Sequence, residues 1–310
     1  MRIIIYFFLS LLLINLIFYI VINNIVKEDI TLKKYLKILN ITYSLCKFHL
    51  KNRNKRDFKE IEDYIGKKEL QKKQKIPYNI YQIFIQTNKV PESMYNITRE
   101  WIKINPEYNY NFFSGDRITK FIEEDIYKDF NFTKEEFKEC YNNINSAAGK
   151  ADLFRLLLIY DQGGCYFDMD TQPIKPLKNF ILEDDEVVSG IGQRNDIHQW
   201  GLIYVKNHIL IKKTLELAID NIKNNNFIGG HNSLEYMTGP PCMNKAVRDF
   251  FNMEENDKFI KGRHKINGVK FRLLDGDWLG YNICFKYLNY DNDLKLMKLK
   301  HWSEEKVLNK

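Results

Sequence analysis

The sequence predicts an α/β layered domain carried behind an N-terminal membrane span. Three features of the 310-residue chain lead there: a long apolar run at the start, a basic stretch after it, and alternating strand and helix patterns from Pro77 onward. Residues 3–22 form a 20-residue apolar run broken only by Ser10, Asn15 and two tyrosines. As a helix rising about 1.5 Å per residue, such a run spans about 30 Å, the hydrocarbon thickness of a bilayer. A cleaved signal peptide has a shorter apolar core and a small-residue cleavage site, and the following Asn-Asn-Ile-Val-Lys offers none. An uncleaved anchor over 1–26 is therefore expected.

The formal net charge of +7 is concentrated in one place. Residues 47–75 hold 11 Lys/Arg against 5 Asp/Glu, which leaves the rest of the chain nearly neutral. A basic run beside an anchor reads as a solvated or headgroup-facing spacer. Residues 27–75 are thus expected to be a stem, helical or loosely ordered, and a nucleic-acid partner is not expected. Orientation is contested at this stage: Lys27, Lys33, Lys34 and Lys37 outnumber Arg2, which by the Lys/Arg rule alone would leave the long part cytosolic, although long domains cross despite that bias. The cysteines at 46, 140, 165, 242 and 284 are odd in number and contain no CxxC pair, so neither a zinc site nor a disulfide framework follows.

The third region, 76–310, is expected to be one catalytic domain. YNIYQIFIQT alternates and is rich in β-branched and aromatic residues, as a core strand is. Ser93–Ile104 reads as a helix and Tyr108–Phe113 as a second strand, ended by Ser114-Gly115-Asp116. Ile118–Tyr141 is charged and periodic, hence helical. Ser146 is an N-cap candidate for a helix whose Ala151, Phe154, Leu157 and Leu158 recur at helical spacing as far as Tyr160, and Gly163-Gly164 stops it. CYFD then forms a short strand, with strand and helix patterns alternating to about residue 290.

The chemistry is expected at Asp168-Met169-Asp170. A lone D-x-D is weak evidence, since Asp275-x-Asp277 and Asp291-x-Asp293 also occur. The first differs in context: a buried-looking strand runs straight into it. Carboxylates at i and i+2 on extended backbone point to one side, and two of them offer oxygen ligands to Mg²⁺ or Mn²⁺, whose other positions go to phosphate and water. Asp152 and Arg155, three apart on the preceding helix, share a face. They form either a simple ion pair or a clamp in which the Asp accepts from sugar hydroxyls and the Arg fork holds sugar or phosphate oxygens.

The string SAAGKADLFRLLLIYDQGGCYFDMDTQPIKPL resembles the A-x-D-x-x-R…Y-x-x-G-G-x-Y-x-D-x-D…P-x-K-P-L signature of the DxD sugar-binding glycosyltransferases. That group includes the fungal initiating α-1,6-mannosyltransferases, inositol-phosphoceramide mannosyltransferases and α-1,4-glycosyltransferases, with clostridial glucosylating toxins more distant. IPYNIYQIFIQTNKVP is similar to the family's opening strand, Trp101 with NPEYNY to its W…N-P-x-Y-x-Y segment, and Thr238-Gly239-Pro240 to its T-G-P element. Tyr81 and Phe84 replace the usual His and Trp, and the C-terminal S-W motif is reduced to His301-Trp302-Ser303.

The resemblance implies a GT-A-type fold with a Rossmann-like nucleotide half and transfer with retained anomeric configuration. It also implies a Mn²⁺ or Mg²⁺ cofactor on Asp168 and Asp170, with His301 as a third ligand candidate. Asp168, Asp170 and Arg155 would be catalytic, and Asp152, Arg155, Gln82, Phe84, Gly164 and Thr238 would contact the donor. The donor would be GDP-mannose first, or a UDP-sugar, the acceptor a glycolipid or glycoprotein, and the setting a single-pass membrane protein facing a Golgi- or ER-like lumen. The alternative is a membrane-anchored sugar or nucleotide-sugar binding module without catalysis.

Overall fold

The computed structural model describes residues 57–69, 73–192, 194–226, 234–254, 256–274 and 282–299. The chain divides into two compact units, Met1–Leu50 and Lys51–Lys310, and all described residues belong to the second. The expected span and most of the expected stem lie outside them. Among the described residues no helix is long and apolar enough to cross a membrane.

The strands are β1 (Phe58–Glu60), β2 (Tyr64–Ile65), β3 (Asn79–Ile83), β4 (Lys89–Pro91), β5 (Asn109–Phe113), β6 (Gly164–Phe167), β7 (Gln172–Pro173), β8 (Val187–Gly190), β9 (Gly201–Tyr204), β10 (Gly262–Ile266), β11 (Val269–Leu274) and β12 (Ile283–Cys284). The helices are α1 (Glu92–Ile104), α2 (Gly115–Ile122), α3 (Lys134–Asn143), α4 (Ala147–Gln162), α5 (Ile209–Lys223), α6 (Leu234–Thr238), α7 (Pro240–Phe251) and α8 (Tyr290–Leu296). Eight strands form one mixed sheet in the order β10-β11-β8-β9-β6-β3-β5-β2. Its centre is parallel, with β3 paired to both β5 and β6. An α/β domain with a central sheet, as the alternation of patterns predicts, is the result.

Helix α4 is the axis of the core. Its residues from Leu153 to Tyr160 are all buried, so it is apolar nearly all round, as a helix covered on every side must be. Gly163 and Gly164 let the chain turn from α4 straight into β6. Both have positive φ, 61° and 104°, and a Cβ would stand 2.5 Å from the Lys206 amide nitrogen and 2.8 Å from the Asn79 carbonyl oxygen, respectively. Only glycine meets both requirements.

Two expectations are corrected. The single helix over 118–141 is two helices, α2 and α3, with 123–133 between them. The break has a local cause: Thr133 and Glu136 form a reciprocal capping box that starts α3, and the Tyr127 hydroxyl donates to the Ile122 carbonyl (2.8 Å) at the end of α2. The other concerns the expected stem over 27–75, part of which is folded. Phe58–Glu60 pairs antiparallel with Lys89–Pro91, and Tyr64–Ile65 pairs with Tyr110–Asn111 at the sheet's end. Tyr64–Ile65 covers an otherwise open edge at β5, and Phe58–Glu60 forms a separate two-stranded sheet with β4, so strand pairing begins ahead of the boundary expected at residue 76.

Candidate active site

The site forms where β6 ends. Strand β6 is wholly buried, and Trp101 of α1 lies stacked on Phe167 with ring centroids 4.3 Å apart. The indole Nε1–H donates to the Thr171 carbonyl at 3.2 Å, so one side chain braces the strand before the two aspartates and the turn after them. Asp168 is held by backbone from the neighbouring strand region, donating its N–H to the Trp200 carbonyl at 2.9 Å. The carbonyl of Asp168 accepts from the N–H and the hydroxyl of Thr171 at 3.0 and 2.6 Å. Asp168-Met169-Asp170 therefore enters a turn instead of continuing as an extended strand. Both carboxylates nonetheless line one cavity of 480 Å³, within the usual range of small-molecule sites, about 300–1,000 Å³.

Arg155 joins the two acidic clusters. Its guanidinium is ion-paired with Asp152 one helical turn away and donates to Asp168 Oδ1 at 2.9 Å. The Tyr166 hydroxyl donates to the same oxygen. Burial pushes the Asp152 carboxyl up to about 6, with Arg155 drawing it back down. Burial likewise raises Asp168. For Asp170, burial and then the neighbouring Asp168 charge push the carboxyl to about 8, against a smaller downward pull from Lys286. Such a shift means negative charge is under-compensated here.

Those residues fit a divalent cation. Asp170 Oδ1 is buried without a hydrogen-bond partner, an acceptor in want of a proton or an ion. Among the described residues, Asp152, Asp168 and Asp170 face Arg155 and Lys286 as the cations on the cavity wall, with Glu235 adding a further carboxylate. Two carboxylates, with substrate phosphates and water completing the shell, are the usual protein share of a Mg²⁺ or Mn²⁺ site. Among the described residues there is no group of three or more potential ligands. His301 lies outside the described residues, as does the Asp275-x-Asp277 triplet.

Of the residues expected to contact a donor, Asp152, Arg155 and Phe84 line the cavity with the aspartates. Gln82, Gly164 and Thr238 do not line it. Gln82 is fully buried, donating to the Asp168 carbonyl (3.3 Å) and accepting from the Tyr110 hydroxyl (2.9 Å). Thr238 donates through its hydroxyl to Asp152 Oδ2 at 3.1 Å, while Gln199 Nε2 donates to its carbonyl at 3.0 Å. Tyr81 lines a different cavity, with Asn111 and Arg117. The structure adds Trp200, Phe285, Lys286 and Tyr290 to the wall. Tyr166 could have been found in the sequence, since the expected strand CYFD puts it two residues before Asp168 and so on the same side. The others come from distant segments and carry no local signal.

Residues 91–188, which contain α1, α4, β6 and both aspartates, match the family described as "Glycosyltransferase sugar-binding region containing DXD motif". The match covers about a third of the chain. Two relatives are similar to parts of the chain. The "Initiation-specific alpha-1,6-mannosyltransferase" of Saccharomyces cerevisiae is 30% identical over 120 residues, 37% of this chain and 24% of its own length. "Uncharacterized glycosyltransferase L373" of Acanthamoeba polyphaga mimivirus is 33% identical over 107 residues, 34% of this chain and 40% of its own. The matched part thus spans well under half of either relative. A solved structure titled "PaToxG Glycosyltransferase" aligns with 72% of this chain and 80% of its own, at 18% identity and a TM-score of 0.47. The matched residues thus include Asp152, Arg155, Asp168 and Asp170, while Phe84, Trp200, Lys286 and Tyr290 of the same cavity lie outside them.

Proposed function

We propose that this protein is a glycosyltransferase that moves a hexose from a nucleotide-sugar donor to a glycan or glycolipid acceptor. The observation that carries the reading is the convergence of Asp168, Asp170 and the Asp152–Arg155 pair on one cavity. A divalent ion held by Asp168 and Asp170 would neutralise charge developing on the diphosphate leaving group. Asp152, fixed by Arg155 and Thr238, has the chemistry to accept hydrogen bonds from sugar hydroxyls. Phe84 on the same wall presents an apolar ring to a base or sugar face. Arg155 pairs with Asp152 and Asp168 together and draws both towards their ionised form against the effect of burial.

Mannose from GDP-mannose is the favoured donor, on the strength of the yeast relative's name; a UDP-sugar is the runner-up. The GT-A type of the fold, retention of configuration, and a lumen-facing domain behind an anchor at 1–26 belong to the same proposal. The test is donor hydrolysis by the full chain in detergent, with Mn²⁺, across GDP-mannose and the UDP-sugars, alongside Asp168→Ala. Metal-dependent release of one nucleotide by the wild type and not by the variant is expected. Equal turnover by Asp168→Ala would overturn the assignment.

A further inference from the structure

Arg155 is poorly placed to serve the leaving group. Its side chain is only 6% exposed and its terminal nitrogens are committed to Asp152 and Asp168. The remaining cation on the cavity wall, among the described residues, is Lys286, which is 116 positions beyond Asp170 in the chain. We infer that Lys286 is the residue that binds the diphosphate of the nucleotide, an inference that rests on the glycosyltransferase reading above.

The chain goes to some length to present this lysine. Lys286 has φ of 59°, a left-handed conformation unfavourable for a non-glycine residue, and such outliers persist only where their surroundings fix them. Here both sides are fixed. Ahead of it, Ile283–Cys284 pairs with Pro173–Gln172, and Ile174 N–H donates to the Asn282 carbonyl at 2.9 Å. Behind it, Tyr287 N–H donates to the carbonyl of Asp170 itself at 2.8 Å.

A buried network secures the far end. Asp293, fully buried, accepts from the hydroxyls of Ser93 and Tyr287 and from Asn289 Nδ2 at 2.9 Å. It ties α8 and the 287–289 turn to α1. Lys286 is therefore strapped to the metal-binding turn by backbone, while its side chain stays accessible. Its Nζ pairs with Asp291 at 2.8 Å, the two side chains being 38% and 59% exposed. An ion pair so exposed is worth little and yields readily to a diphosphate, which carries more charge and more acceptor oxygens.

The test is calorimetric titration of the full chain in detergent with GDP, UDP and the matching monophosphates, in Mg²⁺. Wild type is compared with Lys286→Met, Lys286→Arg and Asp291→Asn. Lys286→Met is expected to weaken the preferred diphosphate ten- to a hundredfold and the monophosphate at most a few-fold, with an unchanged melting temperature. Lys286→Arg should retain most of the affinity, and Asp291→Asn, which releases the lysine, should bind as well as wild type or more tightly. Wild-type affinity in Lys286→Met, or an equal loss for both phosphates, would overturn the role given to Lys286 and leave the glycosyltransferase reading standing. No binding of either diphosphate by the wild type would overturn that reading and this inference together.

Discussion

Arg155 on α4 reaches Asp168 Oδ1 at 2.9 Å across the thirteen residues that hold the glycine turn and β6, while still gripping Asp152 on its own helix. One fork thus compensates two carboxylates from different elements. A lysine is a point charge and cannot bridge them. Arg155→Lys is expected to fold and to lose about a hundredfold or more in donor turnover. Arg155→Met leaves two mostly buried carboxylates without their cation and should cost about 3–5 kcal/mol of stability, read by thermal denaturation.

Asp170 predicts a pH-dependent stability. Its carboxyl moves from an ordinary 3.8 to about 8 through burial and the charge of Asp168. Between those values the folded protein holds a proton that the unfolded chain has released, so stability falls as pH rises across that window. Asp170→Asn carries no such charge. In metal-free buffer the variant should therefore melt several degrees above wild type near pH 7.5, and the difference should close near pH 4. Adding Mg²⁺ should raise the wild-type melting temperature and leave the variant's nearly unmoved, because only the wild type gains a ligand that replaces the proton.

Legibility in the sequence followed how local the physics is. The strand NIYQI, the helix from Ala147 and the Gly163-Gly164 stop each rest on a pattern within one element, and they stand where the pattern puts them. Thr133-x-x-Glu136 was also readable as a helix start, but the charged periodicity around it masked the break. The edge strands at 58–60 and 64–65 are short and mostly exposed, so no apolar alternation marks them; their pairing depends on a partner edge that only the fold supplies. Trp200 and Lys286 join the cavity from opposite sides of a long stretch of chain, and no spacing rule connects them to Asp168. Asp291-x-Asp293 resembled the metal motif in sequence, yet the structure uses Asp293 as a buried anchor between α8 and α1.

Trp101 makes a prediction that separates packing from bracing. Trp101→Phe keeps an aromatic ring against Phe167 but removes the donor to the Thr171 carbonyl. A buried carbonyl that loses its donor costs about 1–3 kcal/mol, so the melting temperature should drop by several degrees. Because that carbonyl belongs to the turn directly after Asp170, Mn²⁺ affinity should weaken as well, measurable by calorimetry. A variant equal to wild type in both respects would mean that the indole hydrogen bond does not brace the turn.

Thr238 favours the charged form of Asp152 through a hydrogen bond. Its hydroxyl donates to Asp152 Oδ2 at 3.1 Å and favours the ionised carboxylate, whose pKa burial has already raised to about 6. Thr238→Val preserves shape and removes the donor, so the Asp152 pKa should rise further. If Asp152 accepts hydrogen bonds from the donor sugar as a carboxylate, the acidic limb of the kcat/KM profile should then move to higher pH. The loss should be about tenfold or more at pH 6.5 and much smaller at pH 8.5, while Thr238→Ser retains the wild-type profile. A uniform loss at every pH in Thr238→Val would instead mark the hydroxyl as a packing contact with no bearing on the proton at Asp152.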